Sequence, residues 1–532
     1  MRYPVAVVLL MATVATVATV ATVPDSHAQI VSEQEISATE GNLGSSLLAF
    51  SDFFGSSVAS VGDIDRDGVL DLAVGAEGDD AGGRDAGAVY LLFMKPDGTV
   101  GSAAKSGALE LPSGALDPGD YFGSSVAGLA DLNGDGFRDV AVGARGDDDT
   151  SDGPGESSGA VWILFLNESG SVIGSQKISE VEGGFTGTLD AGDLFGRSVA
   201  FLGDIGEDGT KEIAVGAPGD DDGGSDRGAV WVLSLNGDGT VAESDKISDG
   251  KGLATDALSD YGAFGSAVVR LAGPDADGLP VAIGAPFSRD CHGEFWFTEL
   301  RPGVTVAEAT VISDAAGDLV GLIDSGDHFG RSLAAPGDLD GDGMFDVIVG
   351  APGGDDAGDE AGEFWFVGLE PGDYSATAGG FTGRLEAGDR FGQALTAIGD
   401  LDANGKVDYA VGVPFGNDGF ENSGSVYILF DDRANPVAVD DALPEQDVFV
   451  EPYPNPLAGD GVFQVRLAAD RYVRIEVFDV VGRMVATVHD GPLRAGMQYR
   501  LPVSAGSWPS GTYVYRITSD RAVSSSSFVV AR

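Results

Sequence analysis

Asp63, Asp65, Asp67 and Asp71 fall at positions 1, 3, 5 and 9 of the run DIDRDGVLD, with Gly68 at position 6. Four carboxylates in so short a run repel one another, and a hard cation relieves the repulsion. Ca²⁺, which takes about six to eight oxygen ligands, suits such a loop. Glycine at position 6 permits the sharp turn that carries the chain round the ion, and the backbone carbonyl at position 7, Val69, is the expected additional ligand. The pattern returns as Asp131, Asn133, Asp135 and Asp139 with Phe137 at position 7, and as Asp338, Asp340, Asp342 and Asp346 with Met344. A further copy is Asp400, Asp402, Asn404 and Asp408 with Lys406. Asp204, Asp208 and Glu212 form a weaker version, because Gly206 removes the ligand at position 3; another loop keeps only Asp275 and Asp277 and is assigned no ion. The expectation is about four Ca²⁺ ions and a weaker fifth site. Position 12 of the first copy is Val74 where an EF-hand has Glu, so an EF-hand is excluded.

The loops belong to a longer repeat. Phe-Gly recurs at Phe54, Phe122, Phe195, Phe264, Phe329 and Phe391, spaced 68, 73, 69, 65 and 62 residues apart. Each pair is followed by three short runs rich in Val, Ala and aromatics, split by Gly/Asp turns, which read as β-strands. A fourth run closes several copies, as in SQKIS, SDKIS and ATVIS. Four strands per repeat describe a propeller blade. The sixth copy runs from GSVYILF into an aperiodic stretch without a fourth strand, while EQEIS near the N-terminus has the sequence of one with no blade before it. The expected fold is therefore all-β: a six-bladed β-propeller of four-stranded blades closed by the N-terminal strand, then a small C-terminal β-sandwich.

The unit FGxSV, then DxDxDGxxD, then AVGAP and GAVY resembles the FG-GAP repeat of integrin α-chain propellers, from about Glu33 to Phe430. The resemblance implies Ca²⁺ in these hairpins and a role in adhesion or ligand recognition. Integrin α-chains use seven such units where this chain has six.

Strand alternation puts the metal loops on one face and the loops between second and third strands on the other. The second set is acidic: Asp79, Asp80 and Asp85; Asp147, Asp148, Asp149 and Asp152; Asp220, Asp221, Asp222 and Asp226; Asp355, Asp356 and Asp359. Turns such as LDPGDYFG join them on that face, and the whole reads as a solvated acidic rim, the alternative being a surface for a cationic or calcium-bridged ligand. Arg145-Gly146-Asp147 spells an adhesion tripeptide, but it stands where other copies have Glu77-Gly78-Asp79 and Pro218-Gly219-Asp220, so it reads as a repeat position. Cys291 and His292 are adjacent, on a strand that would point them to opposite sides, which argues against a nucleophile-base pair. Carboxylates are too abundant to single out an acid-base dyad. The expectation is a non-catalytic protein binding an extracellular protein or glycan; the alternative is a calcium-dependent extracellular polysaccharide-degrading enzyme on a propeller scaffold.

The net charge of −55 argues against nucleic acid or anionic membrane as a direct partner, and points to cations or a saline medium. That charge sits in residues 1–446. From Asp447 onward 8 acidic residues meet 9 basic ones. The N-terminus, with Arg2, an apolar run from Val5 to Val23 and small residues Ser26 and Ala28, reads as a signal peptide over 1–28, the length of the run leaving an uncleaved anchor as the alternative. No later segment is expected to span a membrane. Residues 29–430 form the propeller region, 431–446 a Pro-containing acidic linker, and 447–532 a compact all-β domain. LPEQ, Tyr453-Pro454-Asn455-Pro456, the run around Gly482, the turn at Gly496 and Gly511 to Arg516 resemble the type A sorting domain of the type IX secretion system. This implies Sec export, then engagement of the type IX machinery of a Bacteroidetes-like Gram-negative bacterium and delivery to the cell surface or medium.

Overall fold

The computed structural model describes residues 30–431 and 448–530, apart from 45, 108–110, 113, 149–156, 207–208, 272–277, 302–304, 307–308, 316–318, 320–321, 340–343, 356–359, 371–372, 379–384, 454–459, 467–470, 480–482, 494–497, 506–507 and 520–522. The expected signal peptide, residues 432–446 of the linker, Asp149, Asp152, Asp208, Asp275, Asp277, Asp340, Asp342, Asp356, Asp359, Pro454, Asn455, Pro456, Gly482 and Gly496 lie outside the described residues, whereas Asp431, expected to open the linker, ends a strand.

The described chain is all-β, built mainly of four-stranded antiparallel sheets. In the first unit the strands are Phe54–Gly62, Asp71–Ala76, Ala88–Met94 and Val100–Gly107, paired in chain order. The units opening at Phe122, Phe195 and Phe329 repeat this order. In the fourth unit the last strand is split into Thr305–Val306 and Thr310–Ile312, both paired with Glu294–Arg301. The sixth unit has Ala394–Gly399, Asp408–Val413 and Ser425–Asp431, and its outer strand is Ile30–Ile36, with Ile36 opposite Val426 and Glu35 opposite Tyr427.

The second and third strands of a unit are apolar on both faces, as in LAVGA and AVYLLFM, because each sheet is covered on both sides. One buried cluster joins each sheet to the next: first to second, second to third, and so on to fifth to sixth. A sixth cluster joins the last unit to the first, bringing Ile36, Val426 and Ile428 onto Phe54, Leu72 and Tyr90. The Phe of every Phe-Gly pair is buried and bridges the glycine that opens the preceding unit's third strand; Phe54 does so with Gly424.

The glycine of each second strand marks a close backbone contact between units. A methyl on Gly143 would lie 1.9 Å from the Gly196 carbonyl oxygen, and one on Gly412 would lie 2.0 Å from that of Gly55. The first-strand serines complete the seam. Ser57, Ser125, Ser198 and Ser332 donate to the glycine carbonyls of Gly123, Gly196, Gly265 and Gly392 in the following unit, at 2.7 to 2.8 Å. Backbones can approach this closely only where no side chain intervenes.

Residues 448–530 form two sheets, one of three strands and one of four. Phe463 and Val503 of the first share a core with Val473, Ile475, Val477, Tyr513, Tyr515 and Ile517 of the second.

Candidate functional site

The hairpin between the first and second strands is held by its own carboxylates. In the first unit Asp63 accepts from the backbone N–H of Asp67 (3.0 Å) and Gly68 (3.0 Å), so the loop curls round that side chain. Asp71, at the start of the next strand, accepts from Ile64 N–H at 2.8 Å and Met94 N–H at 3.1 Å. The curl needs left-handed backbone at position 6, which Gly68 supplies at φ 92°, and also at position 4, where Arg66 adopts φ 62°. Arg66 is steadied by donating to the Gly136 carbonyl of the next loop at 2.7 Å and lying 4.9 Å over the Phe137 ring.

This brings carboxylate oxygens of Asp63, Asp65 and Asp71 within 4.8 Å of one another; Asp400, Asp402 and Asp408 form the same group in the sixth unit. Oxygens sharing a Ca²⁺ at about 2.4 Å are at most about 4.8 Å apart, so both groups fit such an ion. Burial, then repulsion from Asp65 and Asp63, pushes the Asp71 carboxyl up to about 7; burial raises Asp408 to about 7 as well. A bound dication would reverse that tendency.

The other expected ligands are placed less uniformly. Asp67 is outside the three-carboxylate group, and its Oδ1 accepts from Val69 N–H at 2.8 Å. In the second unit Asp131 accepts from Gly134, Asp135 and Gly136, Asp139 accepts from Leu132 and Leu166, and Asn133 donates to Asp135 at 2.9 Å. Phe137 N–H points to Asp135 Oδ1 at 2.9 Å. In the sixth unit Asn404 donates to Asp402 and to the Asp431 carbonyl, and Lys406 is half-buried at position 7. Asp338, Met344 and Asp346 bound the fifth loop, where Asp346 accepts from Leu339 N–H. In the third unit Glu212 takes the anchoring role, accepting from Ile205 N–H at 2.7 Å, and Asp204 accepts from Gly209.

The opposite end of the sheets departs from a simple solvated rim. Asp80, Asp221, Asp222 and Asp226 are exposed, but the first acid of three loops is not: Asp79, Asp147 and Asp220 are each at most 3% exposed. Each is ion-paired with a lysine of the same unit's outer strand, Lys105, Lys177 (2.6 Å) and Lys246 respectively. Each lysine also lies over the aromatic ring opposite it in the sheet: Tyr90, Trp162 and Trp231. A pair so desolvated is costly to break from either side. Asp147 belongs to the Arg-Gly-Asp run, and Arg145 bonds Glu77 at 3.0 Å, so the tripeptide is engaged internally at both ends.

A second buried acid lies beside each pair, in the turn between units. Asp52, Asp120 and Asp193 accept from the backbone N–H three residues earlier, and their own carbonyls receive Gly78, Gly146 and Gly219, which ties the turn to the acidic loop. Burial raises Asp52 to about 6 and Asp120 and Asp193 to about 7. A folded pKa above the unfolded value means that the folded state holds these protons more tightly, so stability falls as pH rises from about 4 to about 7. In metal-free buffer the melting temperature is therefore expected to rise when the pH is lowered from 8 to 6. A flat profile over that window in thermal melts would contradict it.

Cys291 and His292 lie on a turn ahead of the third strand, not on a strand. Cys291 has φ 66°, and His292 Nδ1 contacts the Arg289 carbonyl at 2.6 Å. Contrary to the expectation from the sequence, Cys291 and His292 do not alternate on a strand, because the chain turns at Ser288–Cys291 before pairing resumes at Glu294.

Among known proteins, the FG-GAP repeat profile matches residues 54–92, 122–164 and 329–367, and a second FG-GAP repeat profile matches 189–233. The secretion system C-terminal sorting domain profile matches 451–531. Integrin alpha-3 of Cricetulus griseus is 33% identical over 176 residues, 33% of this chain and 15% of that protein. Integrin alpha-PS2 of Drosophila melanogaster is 34% identical over 181 residues, covering 31% and 13%, and integrin alpha-2 of Mus musculus is 36% identical over 172 residues, covering 31% and 13%. The similarity spans a small part of these relatives' length. Among the described residues no helix is long and apolar enough to cross a membrane. The chain is thus one that carries integrin-α-like FG-GAP repeats followed by a secretion system C-terminal sorting domain.

Proposed function

We propose that the six sheets are blades of one closed propeller, that residues 448–530 are a β-sandwich recognised by the type IX secretion machinery, and that the exported propeller is a calcium-bound, non-catalytic adhesion or ligand-binding module. It would act at the outer surface of a Gram-negative bacterium or in its medium. The observation that carries this reading is the union of integrin-α-like FG-GAP sheets with a sorting domain in one chain. Closure is supported by the apolar cluster between the sixth and first sheets and by the Phe54–Gly424 bridge. Two packed sheets with Phe463 5.0 Å from Tyr515 support the sandwich. Calcium in the loops of the first and sixth units is supported by their three-carboxylate groups; in the second unit, and more weakly the third, it is supported by the same backbone curl round the first acid, and in the fifth by the repeated acid spacing of the sequence.

Removal of residues 448–532 should leave the propeller inside the cell envelope, read by surface labelling of intact cells. The full chain should bind members of a glycan or extracellular-protein array without releasing products. New reducing or unsaturated ends on the bound glycans would overturn the non-catalytic reading, and normal surface delivery of the truncated chain would overturn the export role.

A further inference from the structure

Among the described residues of 448–530, five large apolar side chains are exposed, and four of them gather at one end of one sheet. Across its width that sheet runs Met484–Leu493, Arg471–Asp479, Gly511–Ser519 and Val523–Val530. One face is given to the core, where Val473, Ile475, Val477, Tyr513, Tyr515 and Ile517 meet Phe463 and Val503 of the other sheet. The residues between them point away, and an open antiparallel face is ordinarily polar. Arg474 and Arg516 keep to that rule.

One row breaks it. The register sets Phe478 opposite Met484 on one side and Val514 on the other, so three apolar residues stand in line across three strands. Met484 is 57% exposed and Val514 37%, and Phe478 is half-buried. Val529, 40% exposed, pairs with Thr512 in the row beyond Val514. Val485 is exposed as well, in the bulge where the register shifts between Val477 and Phe478. The fifth residue, Tyr472, lies at the far end of the strand that carries Phe478. Single exposed apolar side chains are ordinary, whereas a contiguous group framed by charge marks a docking surface.

The frame is basic. Among the described residues the exposed charged side chains of this face are Arg474 and Arg516, with Arg483 just before Met484, while the neighbouring acid Glu476 is buried against Arg516 at 2.5 Å. Arg516 also lies 4.9 Å over the Phe478 ring, which holds its charge at the row. Residues 1–446 carry the chain's negative charge, whereas from Asp447 onward 8 acidic residues meet 9 basic ones. A partner that must grip this domain and not the acidic repeats before it does so best with apolar groups flanked by acids. Such a surface fits the row and its arginines and is repelled by the rest of the chain. The sorting-domain profile spans 451–531, so the row lies wholly inside it.

We propose that the row of Met484, Phe478 and Val514, with Val529 beside it, is the surface by which the export machinery grips this domain, and that the gripping component presents apolar side chains flanked by carboxylates. The proposal rests on the export role proposed above and names the face that performs it.

The test is export of the full chain in a bacterium with type IX machinery, read as surface-labelled against periplasmic protein, beside the chain lacking residues 448–532. M484D/V514D should lower surface delivery about tenfold or more and accumulate in the periplasm, because it sets two carboxylates against an acidic, apolar partner. M484K/V514K removes the same apolar contacts but keeps the favourable sign, so it should be delivered better than the aspartate pair. Both positions are exposed, so the purified variants should melt as the parent does. M484T/V514T, neutral and suited to strands, covers the case in which the charged pairs fail to fold, and should also be delivered less than the parent. Parental delivery of the aspartate pair, with the truncated chain retained, would overturn this face and leave the export role standing; delivery of the truncated chain as well would overturn both. A lysine pair delivered worse than the aspartate pair would overturn the acidic partner. A parent that dimerises in size-exclusion chromatography while the aspartate pair is monomeric would put a second copy on the row and overturn the proposal. A lower melting transition of the FG-GAP region in the variants would put this chain's own repeats there, with the same consequence.

Discussion

Removing divalent cations with EDTA should lower the melting temperature of this protein, and adding Ca²⁺ back should restore it. At a free ion concentration a hundredfold above Kd, each occupied site stabilises the fold by about 2.7 kcal/mol. The first and sixth loops together would then contribute on the order of 5 kcal/mol, or a shift on the order of 10 °C. The sign in the absence of metal is also fixed, because carboxylates of Asp63, Asp65 and Asp71 within 4.8 Å of one another repel. The informative variant is D65A with D402A. Asp71 and Asp408 each anchor two backbone N–H groups, so their loss would confuse metal binding with loop folding. Asp65 and Asp402 hold less: each accepts only from the loop's own position 5. The double variant should lose most of the EDTA-sensitive increment while melting no lower than the parent in EDTA. A melting temperature indifferent to both EDTA and Ca²⁺ would remove metal from the account of these loops.

The acidic hairpins were legible in the sequence because their chemistry is local. Position 1 reaches the N–H groups at positions 5 and 6 within one turn, so Asp63-x-Asp65-x-Asp67-Gly68 spells its own geometry. The strands were legible for a related reason: runs such as LAVGA and AVYLLF between Gly/Asp turns have few alternatives. The buried lysines were not. Lys105, Lys177 and Lys246 meet acids about one hairpin away, in loops so rich in Asp that no single carboxylate stands out. A signal was present in the recurrence of Lys just inside the serine that closes the outer strand, as in QKIS and DKIS. The sixth unit sharpens it. There the strand position opposite Tyr427 is Glu35, and the acid's place, marked by the carbonyl that receives the third-strand glycine, is Gly416. Lysine and acid are lost together, which is how a pair behaves. Glu35 instead faces Asp418, and burial with that neighbour raises it to about 7.

Deleting residues 30–40 should abolish cooperative unfolding of the whole FG-GAP region rather than weaken one sheet. Ile30–Ile36 supplies the outer strand of the sixth unit, and Ile36 is fully buried in the cluster that joins that unit to the first. Burial of one such side chain contributes about 1.5–3 kcal/mol. The larger loss is at the strand it leaves. All seven residues of Ser425–Asp431 are buried, so deletion exposes the edge of an apolar strand, a template for pairing with another chain. The segment that follows is also engaged: Gly41 accepts from Val100 N–H, and the Leu47 carbonyl accepts from the Tyr90 hydroxyl, both in the first unit. The seam between last and first units therefore depends on a strand from the far end of the chain, and each sheet is otherwise covered on both faces only by its neighbours. Opening one seam exposes two of them. The deleted protein should aggregate or melt broadly, as followed by calorimetry and size-exclusion chromatography. A circular permutant that moves residues 30–48 to follow residue 431 through a short flexible linker should restore a single transition, because pairing is needed there and covalent order is not. An unchanged cooperative melt after the deletion would show that the seam contributes little and that the sheets hold together as an open stack.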